Sequence, residues 1–304
     1  MKAIRIHEPV GIDGLVYEEA PEPAPAVNDV LVEVHACGFT ASELYWPIWT
    51  DRNGHERTAV IPGQEFSGVV VGLGFGTAGV AVGDVVYGLT DAYRDGAAAE
   101  LIAVEARDVA PKPASVDHVH AATLPQAGLT SWQALFTHGG LTAGQTVVVH
   151  GAAGAVGSMA IQLARTVDAR VVATGRAGHR PLVLELGADD FVGLDEDGWE
   201  EAVGRADLVF DTIGGDVLER SPAILRPGGA LISVVAPPPT GRDDIRTLHF
   251  IREQSRPQLV EIARLVDAHE VRPQVGAVYP LAKGREAFTA KSAPGIPGRV
   301  ILQP

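Results

Sequence analysis

The sequence predicts an α/β protein in which a doubly wound parallel sheet is joined to a mostly antiparallel β domain. Its 304 residues are about right for two domains. Up to about Pro113, short β-rich runs are cut by Gly and Pro, whereas from about Ser115 apolar strands alternate with helical segments. Such alternation is typical of βαβ units, whose strands form a parallel sheet.

The β domain is predicted from both ends of the chain. Its strands are expected at KAIRI, DVLVEVHACG, FSGVVVGLG, DVVYGL and AELIAVEA. After the helical stretch PQLVEIARLVDAHE, the tail from VRPQVGAVYP to GRVILQP returns to strand-like runs. We therefore expect a discontinuous β domain of residues 1–120 and 271–304, interrupted by a second domain of residues 121–270.

The second domain shows the strand and helix alternation most clearly. Its strands are expected at TVVVHG, ARVVATG, DLVFDTIGG and GALISVVA, and the helices between them at SMAIQLARTV, PLVLELG and LERSPAIL. The spacing predicts parallel pairing of these strands, because a helix between two strands brings the chain back to the same end of the sheet.

Composition excludes several classes of partner. The formal net charge of -14 opposes a nucleic-acid backbone, and no run approaches the roughly 20 apolar residues of a membrane span. Cys37 is the one cysteine, so no intramolecular disulfide is possible, which is consistent with a reducing compartment. The start of the chain lacks the apolar core of a secretory signal. We expect a cytoplasmic protein that binds neither nucleic acid nor membrane.

A glycine-rich loop separates the strand TVVVHG from the helix SMAIQLARTV. Against the spacing G-x-G-x-x-G, it reads Ala152-x-Gly154-x-x-Gly157 and is preceded by Gly151. Small residues at these places let the backbone approach a pyrophosphate, whose charge is bound by the amides of a helix N-terminus. Because the loop follows a predicted strand and opens a predicted helix, it predicts a dinucleotide site.

The residue after the next strand indicates which dinucleotide is bound. In such units an acid about 20 residues beyond the loop contacts the ribose 2′-hydroxyl of NAD, whereas an arginine accommodates a 2′-phosphate. Arg176 stands there, followed by Arg180, and we expect no carboxylate close enough to repel a phosphate. The pattern predicts NADPH, with a solvated loop arginine as the alternative for Arg176.

Several segments spread along the chain carry a family resemblance. They are HACGFTASELY, IPGQEFSGVVVGLG, GDVVYGL, AATLPQAGLTSWQAL, HGAAGAVG, LGAD, DTIGG and GRVILQP. With these segments the chain resembles the medium-chain dehydrogenase/reductases, specifically their zinc-independent, quinone-oxidoreductase-like branch. The resemblance implies a GroES-like β domain, a Rossmann domain, and a cleft where the nicotinamide meets the substrate.

The departures from zinc-dependent relatives concern the metal ligands. Zinc-dependent relatives carry a Cys, a His and a further Cys or acid as metal ligands. At the matching positions this chain has Thr40, Gln64 and Gln126 or Ala127. A catalytic zinc site needs about three ligands of N, S or carboxylate type. We therefore expect no zinc, and without this Lewis acid alcohol dehydrogenation is disfavoured.

The resemblance also implies the residues that contact the cofactor. Thr130 would lie near the nicotinamide, with capping of the helix at SWQAL as an alternative or additional role. Arg299 would reach the cofactor phosphates, with an ordinary surface charge as the alternative. The remaining positions expected around the pyrophosphate, 2′-phosphate, adenosine and nicotinamide are Gly154, Ala155, Val156, Gly157, Thr174, Gly175, Arg176, Arg180, Thr212, Ile213, Val234 and Val235.

On the substrate side, the resemblance points to two hydroxyl groups. Thr40 and Tyr45 occupy positions where quinone-reductase relatives carry Asn and Tyr, and either hydroxyl is able to donate to a developing oxyanion. The alternative for Tyr45 is packing beside the neighbouring tryptophans. Glu43 and Glu65 are expected to form structural ion pairs, and Cys37 to be buried and inert.

These expectations combine into one leading function. It is a zinc-independent, NADPH-dependent oxidoreductase that transfers a hydride to a quinone or α,β-unsaturated carbonyl, acting on an apolar or aromatic small molecule. The alternatives are an NADPH-binding sensor or scaffold with little catalysis and a zinc alcohol dehydrogenase. By analogy with relatives, we expect a homodimer formed through a Rossmann edge strand, for which GALISVVA is the candidate.

Overall fold

The computed structural model describes residues 1–46, 48–195, 198–293 and 296–304. Its strands are β1 (Lys2–Ile6), β2 (Leu15–Glu19), β3 (Asp29–Gly38), β4 (Glu65–Leu73), β5 (Val85–Leu89), β6 (Leu101–Glu105), β7 (Val109–Pro111), β8 (Thr146–His150), β9 (Arg170–Gly175), β10 (Asp190–Gly193), β11 (Ala206–Asp211), β12 (Leu225–Ser233), β13 (Arg246–His249), β14 (Val275–Pro280) and β15 (Arg299–Gln303).

The helices are α1 (His118–Ala121), α2 (Pro125–Trp132), α3 (Ala155–Arg165), α4 (Arg180–Glu185), α5 (Trp199–Val203), α6 (Gly215–Arg220), α7 (Arg256–Asp267) and α8 (Gly284–Ser292). A π-helical segment, Gln133–His138, continues α2, and a 3₁₀ helix, Ala41–Tyr45, follows β3. Across the described ranges, no helix has the length and apolar character needed to cross a membrane. The described residues divide into a first unit of residues 1–125, 254–268 and 273–304, and a second unit of residues 126–253 and 269–272.

The first unit contains a mostly antiparallel sheet, as predicted. Its strand order is β14–β15–β3–β4–β5–β7, with β6 also paired to β3, and the pair β14–β15 runs parallel. The tail supplies β15, in which Ile301 pairs with Gly38 of β3. Phe39 stacks on Phe288 of α8 with 3.9 Å between ring centroids. Residues from both ends of the chain therefore contribute to one β core.

Helix α7 packs within the first unit, although the boundary expected at residue 271 put it in the second domain. The Tyr87 hydroxyl donates to the carbonyl oxygen of Leu259 at 2.5 Å. The Asp267 carboxylate accepts from the amides of Ala114 and Ser115. The apolar stripe of an amphipathic helix predicts that one face is buried but not which surface covers it, so the sequence pattern could not decide which unit this helix packs against.

The second unit contains the predicted parallel sheet. Its strand order is β10–β9–β8–β11–β12–β13, and every neighbouring pair runs parallel. The central strand β8 is buried along its length, as expected of a strand covered by helices on both faces. The chain changes direction across the sheet between β8 and β11. In open α/β sheets, ligands bind beyond the carboxyl ends of the strands at this point.

One expectation about the sheet edge is wrong. The strand containing GALIS is β12, and it is paired on both sides, with β11 and with β13. It therefore has no free edge for a second copy of the chain. The short segment Arg246–His249 that covers it carries Arg, Thr and His, and this polar sequence lacks the apolar run by which strands are recognised. The homodimer itself stays a prediction.

Candidate active site

The glycine-rich loop between β8 and α3 has the geometry that the predicted pyrophosphate contact requires. Gly151 has φ +75°, a backbone conformation that favours glycine. The amide of Gly154 donates to the carbonyl oxygen of Gly151 at 2.9 Å. Gly154 is the N-cap of α3, and Ser158 makes the first intrahelical bond to its carbonyl. The amides of residues 155–157 precede that bond and carry the positive end of the helix dipole. The contact with a pyrophosphate stays a prediction.

Two small residues hold the loop against the helix. A Cβ added to Gly157 would lie 2.3 Å from the carbonyl oxygen of Gly151 and 2.7 Å from the Cα of Ala152. The helix therefore begins in direct backbone contact with the loop. Ala152, which stands where a first glycine is expected, is itself fully buried. Its methyl group is accommodated in the packing, so the irregular spacing does not disturb the loop.

The carboxyl end of β9 contains the residues predicted to surround the 2′-phosphate. Arg176 and Arg180 are exposed, and a Cβ added to Gly175 would meet no atom within 4 Å. Arg180 also donates to the carbonyl of Phe191 at 3.3 Å, which holds its guanidinium beside β10. Thr174 is buried, with its hydroxyl 2.7 Å from Nδ1 of His150. That hydroxyl is used inside the unit, and its contact with a phosphate stays a prediction.

A carboxylate lies close to these arginines, so the expectation of none is wrong. Asp195 is exposed, and its Oδ2 accepts from the amide of Ala177, next to Arg176, at 3.4 Å. Strands β9 and β10 run parallel and pair Gly175 with Gly193. Their carboxyl ends therefore meet at one edge of the sheet, and residues shortly after each strand become neighbours. Strand β10 was itself not predicted from the sequence, so no local pattern placed Asp195 at this edge.

His150 was not singled out from the sequence, yet it organises this edge. It is fully buried, with Nε2 3.0 Å from the Ser221 hydroxyl, which itself donates to the carbonyl of Val217 at 2.6 Å. Burial lowers the pKa of His150 to about 4, so the ring is neutral at pH 7. Since the hydrogen of Ser221 is used on Val217, Nε2–H donates to Ser221 and Nδ1 accepts from Thr174.

The other predicted cofactor positions lie where β11 and β12 end. Thr212 donates to the carbonyl of His150 at 2.7 Å, and the amide of Ile213 donates to the buried Asp211 carboxylate. Ile213 and Val235 are exposed, and Val234 is half-buried. The structure thus brings these residues to the same edge as the glycine-rich loop, which is the carboxyl edge of the parallel sheet.

Thr130 lies inside α2 and is buried. The helix begins at Pro125, so capping of a helix at SWQAL is wrong as an alternative role. The next residue, Ser131, donates from its hydroxyl to the carbonyl of Val156 at 2.9 Å, which joins α2 to the first turn of α3. Proximity of Thr130 to a nicotinamide stays a prediction.

In the first unit, Thr40 is held by two side chains at the end of β3. It is the N-cap of the 3₁₀ helix Ala41–Tyr45 and forms a capping box with Glu43. Its Oγ1 accepts from Nη1 of Arg299 at 3.1 Å. Arg299 is 3% exposed, so the alternative of a surface charge is wrong for this residue. Its predicted contact with cofactor phosphates is a different use of the side chain and stays a prediction.

Tyr45 projects from the other end of the same 3₁₀ helix. It is 76% exposed, whereas Trp46 and Trp49 are half-buried against the core of the unit. Core packing beside the tryptophans is therefore wrong as an account of Tyr45. A Cβ on Gly11, which has φ +68°, would lie 3.0 Å from the Tyr45 hydroxyl oxygen. The glycine leaves room for the phenol, whose outer face is open to solvent.

Two buried carboxyl groups, those of Glu43 and Glu65, lie near Thr40. Glu65 forms an ion pair with Arg299, with side-chain exposures of 0% and 4%, which confirms its predicted structural role. Glu43 instead accepts from backbone amides, that of Gly63 at 2.7 Å and that of Thr40 at 3.4 Å. Burial raises the pKa of Glu43 to about 8, with the nearby Glu65 carboxylate acting in the same direction.

Two further groups in this region titrate away from their ordinary ranges. Cys37 is fully buried, and burial raises the pKa of its thiol well above the usual value. The thiol is therefore protonated and unreactive, as the sequence predicted. Lys291, which was not predicted, donates to the carbonyl of Gly298 at 2.9 Å. Burial lowers the pKa of Lys291 to about 8, and the charge of Arg299 adds to the shift.

The positions of the family's zinc ligands carry no ligand of the required type. Thr40 is bound to Arg299, Gln64 is 5% exposed, and Gln126 and Ala127 belong to α2. Hydroxyl, amide and methyl groups are poor partners for zinc compared with thiolate, imidazole or carboxylate. Within the part of the chain that the structure describes, no three His, Cys, Asp or Glu side chains are placed to hold a metal ion.

Comparisons with known proteins agree with this architecture. Residues 26–114 match the family model of the alcohol dehydrogenase GroES-like domain, and residues 186–302 match that of zinc-binding dehydrogenases. The chain is 32% identical to the "probable zinc-binding oxidoreductase, mitochondrial" of Arthroderma benhamiae, covering 98% of this chain and 96% of that protein.

Two further proteins extend the comparison. The chain is 28% identical to the human "NAD(P)H oxidoreductase RTN4IP1, mitochondrial", over 90% of this chain and 81% of that one. The solved structure of the quinone oxidoreductase from Coxiella burnetii superposes with a TM-score of 0.90 at 25% identity, covering 100% of this chain and 99% of that one. The likeness therefore extends over both units.

Proposed function

Because the chain belongs to the medium-chain dehydrogenase/reductase superfamily and is an NAD(P)H oxidoreductase, we propose that it is a zinc-independent, NADPH-dependent reductase of quinones and α,β-unsaturated carbonyls. The observation that carries the proposal is the environment of Thr40. Where zinc-dependent relatives place a metal ligand, this chain presents a hydroxyl bound to a buried arginine. A hydroxyl donor serves a carbonyl oxygen that gains charge, and it does not replace a Lewis acid for an alcohol.

The second unit fits a dinucleotide. The amides of residues 155–157 would hold the pyrophosphate, and the guanidinium groups of Arg176 and Arg180 would face the 2′-phosphate. The open space beside Gly175 leaves the backbone there accessible to a ligand. When bound, a reduced nicotinamide supplies the hydride. The protein's own part at this edge is to fix the cofactor by backbone donors and positive charge.

The first unit supplies donors for the carbonyl oxygen of the acceptor. When a hydride adds to the β-carbon of an enone or to a quinone, the C=C π bond breaks and an electron pair moves to that oxygen. A hydrogen bond from Thr40 or Tyr45 would stabilise the resulting oxyanion. A proton from water then completes the reduction. The exposed phenol of Tyr45 suits a flat, apolar acceptor, since aromatic faces stack favourably.

The proposal is tested by following NADPH absorbance with a panel of quinones and enones. We expect turnover with at least one acceptor class, unchanged by chelators and without zinc in the purified protein. NADPH binding with no turnover on any acceptor would contradict the proposal and favour a sensor or scaffold. Alcohol oxidation that depends on bound metal would instead identify a zinc alcohol dehydrogenase.

A further inference from the structure

We propose that Asp211 is a positioning residue for the nicotinamide, acting through the Ser233 hydroxyl on residues 234–236, the loop after β12. The proposal deepens the function proposed above and rests on it, since the family resemblance places Val234 and Val235 beside the nicotinamide. Its basis is a chain of hydrogen bonds from the Asp211 carboxylate through Ser233 to this loop, in which both side chains are 0% exposed.

The Asp211 carboxylate lies at the end of β11 and accepts from three groups. Its Oδ1 accepts from the amides of Ile213 and Gly214 at 3.1 and 3.0 Å. Its Oδ2 accepts from the Ser233 hydroxyl at 2.8 Å. Each partner donates, which suits a carboxylate, whose two oxygens only accept. Burying a carboxylate is unfavourable unless its oxygens are hydrogen-bonded, so the fold favours the loop conformation that supplies these donors.

Ser233 extends this restraint to the loop after β12. The hydroxyl hydrogen is used on Asp211, and the hydroxyl oxygen accepts from the amides of Val235 at 3.1 Å and Ala236 at 3.4 Å. The backbone carbonyl of Asp211 also accepts from the amide of Val234 at 3.3 Å. Asp211 therefore holds three successive amides of this loop, either directly or through one hydroxyl.

The loops after β11 and β12 are also in direct contact. Gly214 has φ +76°, and a Cβ on it would lie 2.8 Å from Cγ1 of Val235. Strand β11 is itself held by backbone pairing on both sides, of Asp211 with His150 of β8 and with Ser233 of β12. Because this pairing does not use the carboxylate, loss of the side-chain hydrogen bonds should loosen the loops and leave the sheet in place.

Asp211→Asn distinguishes the two loops. The amide keeps one oxygen for the backbone donors of Ile213 and Gly214, but an NH₂ group replaces the oxygen that accepts from Ser233. The Ser233 hydroxyl then loses its acceptor and faces a third donor. We therefore expect the loop of Val235 to loosen while the loop of Ile213 is kept. Ser233→Ala breaks the same link from its other side.

The experiment compares the dissociation constant of NADPH with that of 2′-phospho-ADP-ribose, a fragment that lacks the nicotinamide, by calorimetry. We expect Asp211→Asn and Ser233→Ala each to weaken NADPH binding about five- to 20-fold and fragment binding less than about two-fold, in the range for loss of one buried hydrogen bond. The double variant should bind NADPH about as weakly as the weaker-binding single variant, because both changes break one link.

Asp207→Asn is the matched control for damage to the fold. Asp207 lies on the same strand at its opposite end, where Oδ2 accepts from the amide of Thr146 at 2.7 Å and from Nη1 of Arg226 at 2.5 Å. We expect Asp207→Asn to lower the melting temperature while both dissociation constants stay at the wild-type values. If Asp211→Asn does not fold, Ser233→Ala, which removes one oxygen, gives the same comparison.

Equal weakening of NADPH and fragment binding would overturn the proposal, because it would show general damage to the carboxyl edge of the sheet. Wild-type affinity of Ser233→Ala for NADPH would overturn it too, as would losses that add in the double variant. Failure of the proposed function is distinct, because it shows as wild-type protein that turns over no quinone or enone. The binding comparison does not depend on turnover.

Discussion

Arg176 and Asp195 carry opposite charges at the ends of the neighbouring strands β9 and β10. The arginine favours a 2′-phosphate, whereas a carboxylate repels the phosphate and is able to accept from a ribose 2′-hydroxyl. Asp195 already accepts from the backbone beside Arg176. Both side chains are exposed, so solvent screens the interaction, and neither residue is needed for the core. We therefore expect the preference for NADPH or NADH to depend on the balance between these two charges.

Opposite changes in cofactor preference are expected from two substitutions. Asp195→Asn removes the repelling charge and should raise the ratio of kcat/KM for NADPH to that for NADH about three- to ten-fold. Arg176→Asp should lower the same ratio by at least as much, because it replaces the attracting charge with a repelling one. Steady-state kinetics with both cofactors measures the ratio, and the changes should shrink at high salt.

The assignment fails if Arg176→Asp leaves the KM values for both cofactors unchanged. Asp189→Asn is a suitable control for the loss of one acid. Asp189 is an exposed residue paired with Arg165 and lies before β10 rather than after it. Asp189→Asn should leave the ratio of kcat/KM for NADPH to that for NADH at the wild-type value.

At the scale of elements, the start of α3 packs against the loop that precedes it. The contact is made by the backbone, because Gly157 has no side chain and the loop carbonyl of Gly151 occupies the space a Cβ would need. The N-terminus of α3 is therefore able to lie this close to the loop only because residue 157 has no side chain.

Gly157→Ala is expected to displace α3 and to destabilise the protein. The added Cβ would lie 2.3 Å from a backbone oxygen, which cannot rotate away. Overpacking of this kind costs about 1–3 kcal/mol. Thermal unfolding should show a lower melting temperature, and nucleotide titration a weaker affinity for NADPH. Gly178→Ala is the control, since its Cβ would meet no atom within 4 Å. Equal stability of the two variants would contradict the packing argument.

At the scale of the whole molecule, each unit contains a buried ionisable group whose shifted pKa makes stability depend on pH. In the first unit, burial raises the pKa of Glu43 from its ordinary 4.5 to about 8. The folded state then holds a proton that the unfolded state has lost, so stability falls as the pH rises through this window. In the second unit, the lowered pKa of His150, about 4, makes stability fall as the pH drops below 6.5.

Glu43→Gln should flatten the alkaline side of this pH dependence. The amide has nearly the shape of the protonated acid but does not titrate, so the loss of up to about 1.4 kcal/mol per pH unit between pH 4.5 and 8 disappears. Melting temperatures at pH 6.5, 7 and 8 measure the effect. Wild-type protein should lose stability over this range, and Glu43→Gln should lose less. Glu261→Gln, a change at a half-buried residue that is ion-paired with Arg264 on α7, should follow the wild type.

Parallel curves for Glu43→Gln and the wild type would show that another group sets the alkaline limit. His150 does not interfere with the comparison, because its window ends at the ordinary histidine value of 6.5. The two groups oppose each other only between pH 4.5 and 6.5. The test is therefore restricted to the range above pH 6.5.

Much of the fold was readable from local patterns. The strands of both sheets with long apolar runs, such as β3, β8 and β11, were predicted because burial on a sheet demands such runs. The glycine-rich loop was predicted from its residue spacing, and the structure shows why glycine is needed at two of its positions: Gly151 has φ +75°, and a Cβ on Gly157 would meet the backbone. The short polar strand β13 was missed, since its place depends on pairing with β12 rather than on its own composition.

The sequence by itself determined the family, the glycine-rich loop and the residue types at the family's zinc-ligand positions, because each can be recognised from the residue types of short segments without knowing which distant residues they contact. Only the tertiary structure decided the partners of those residues. It bound Arg299 to Thr40 across 259 positions, brought Asp195 beside Arg176, and buried His150 between Thr174 and Ser221. The physical reason is that hydrogen bonds and charge interactions act over a few ångströms of space, and local sequence patterns do not specify which distant residues the sheets bring within that distance.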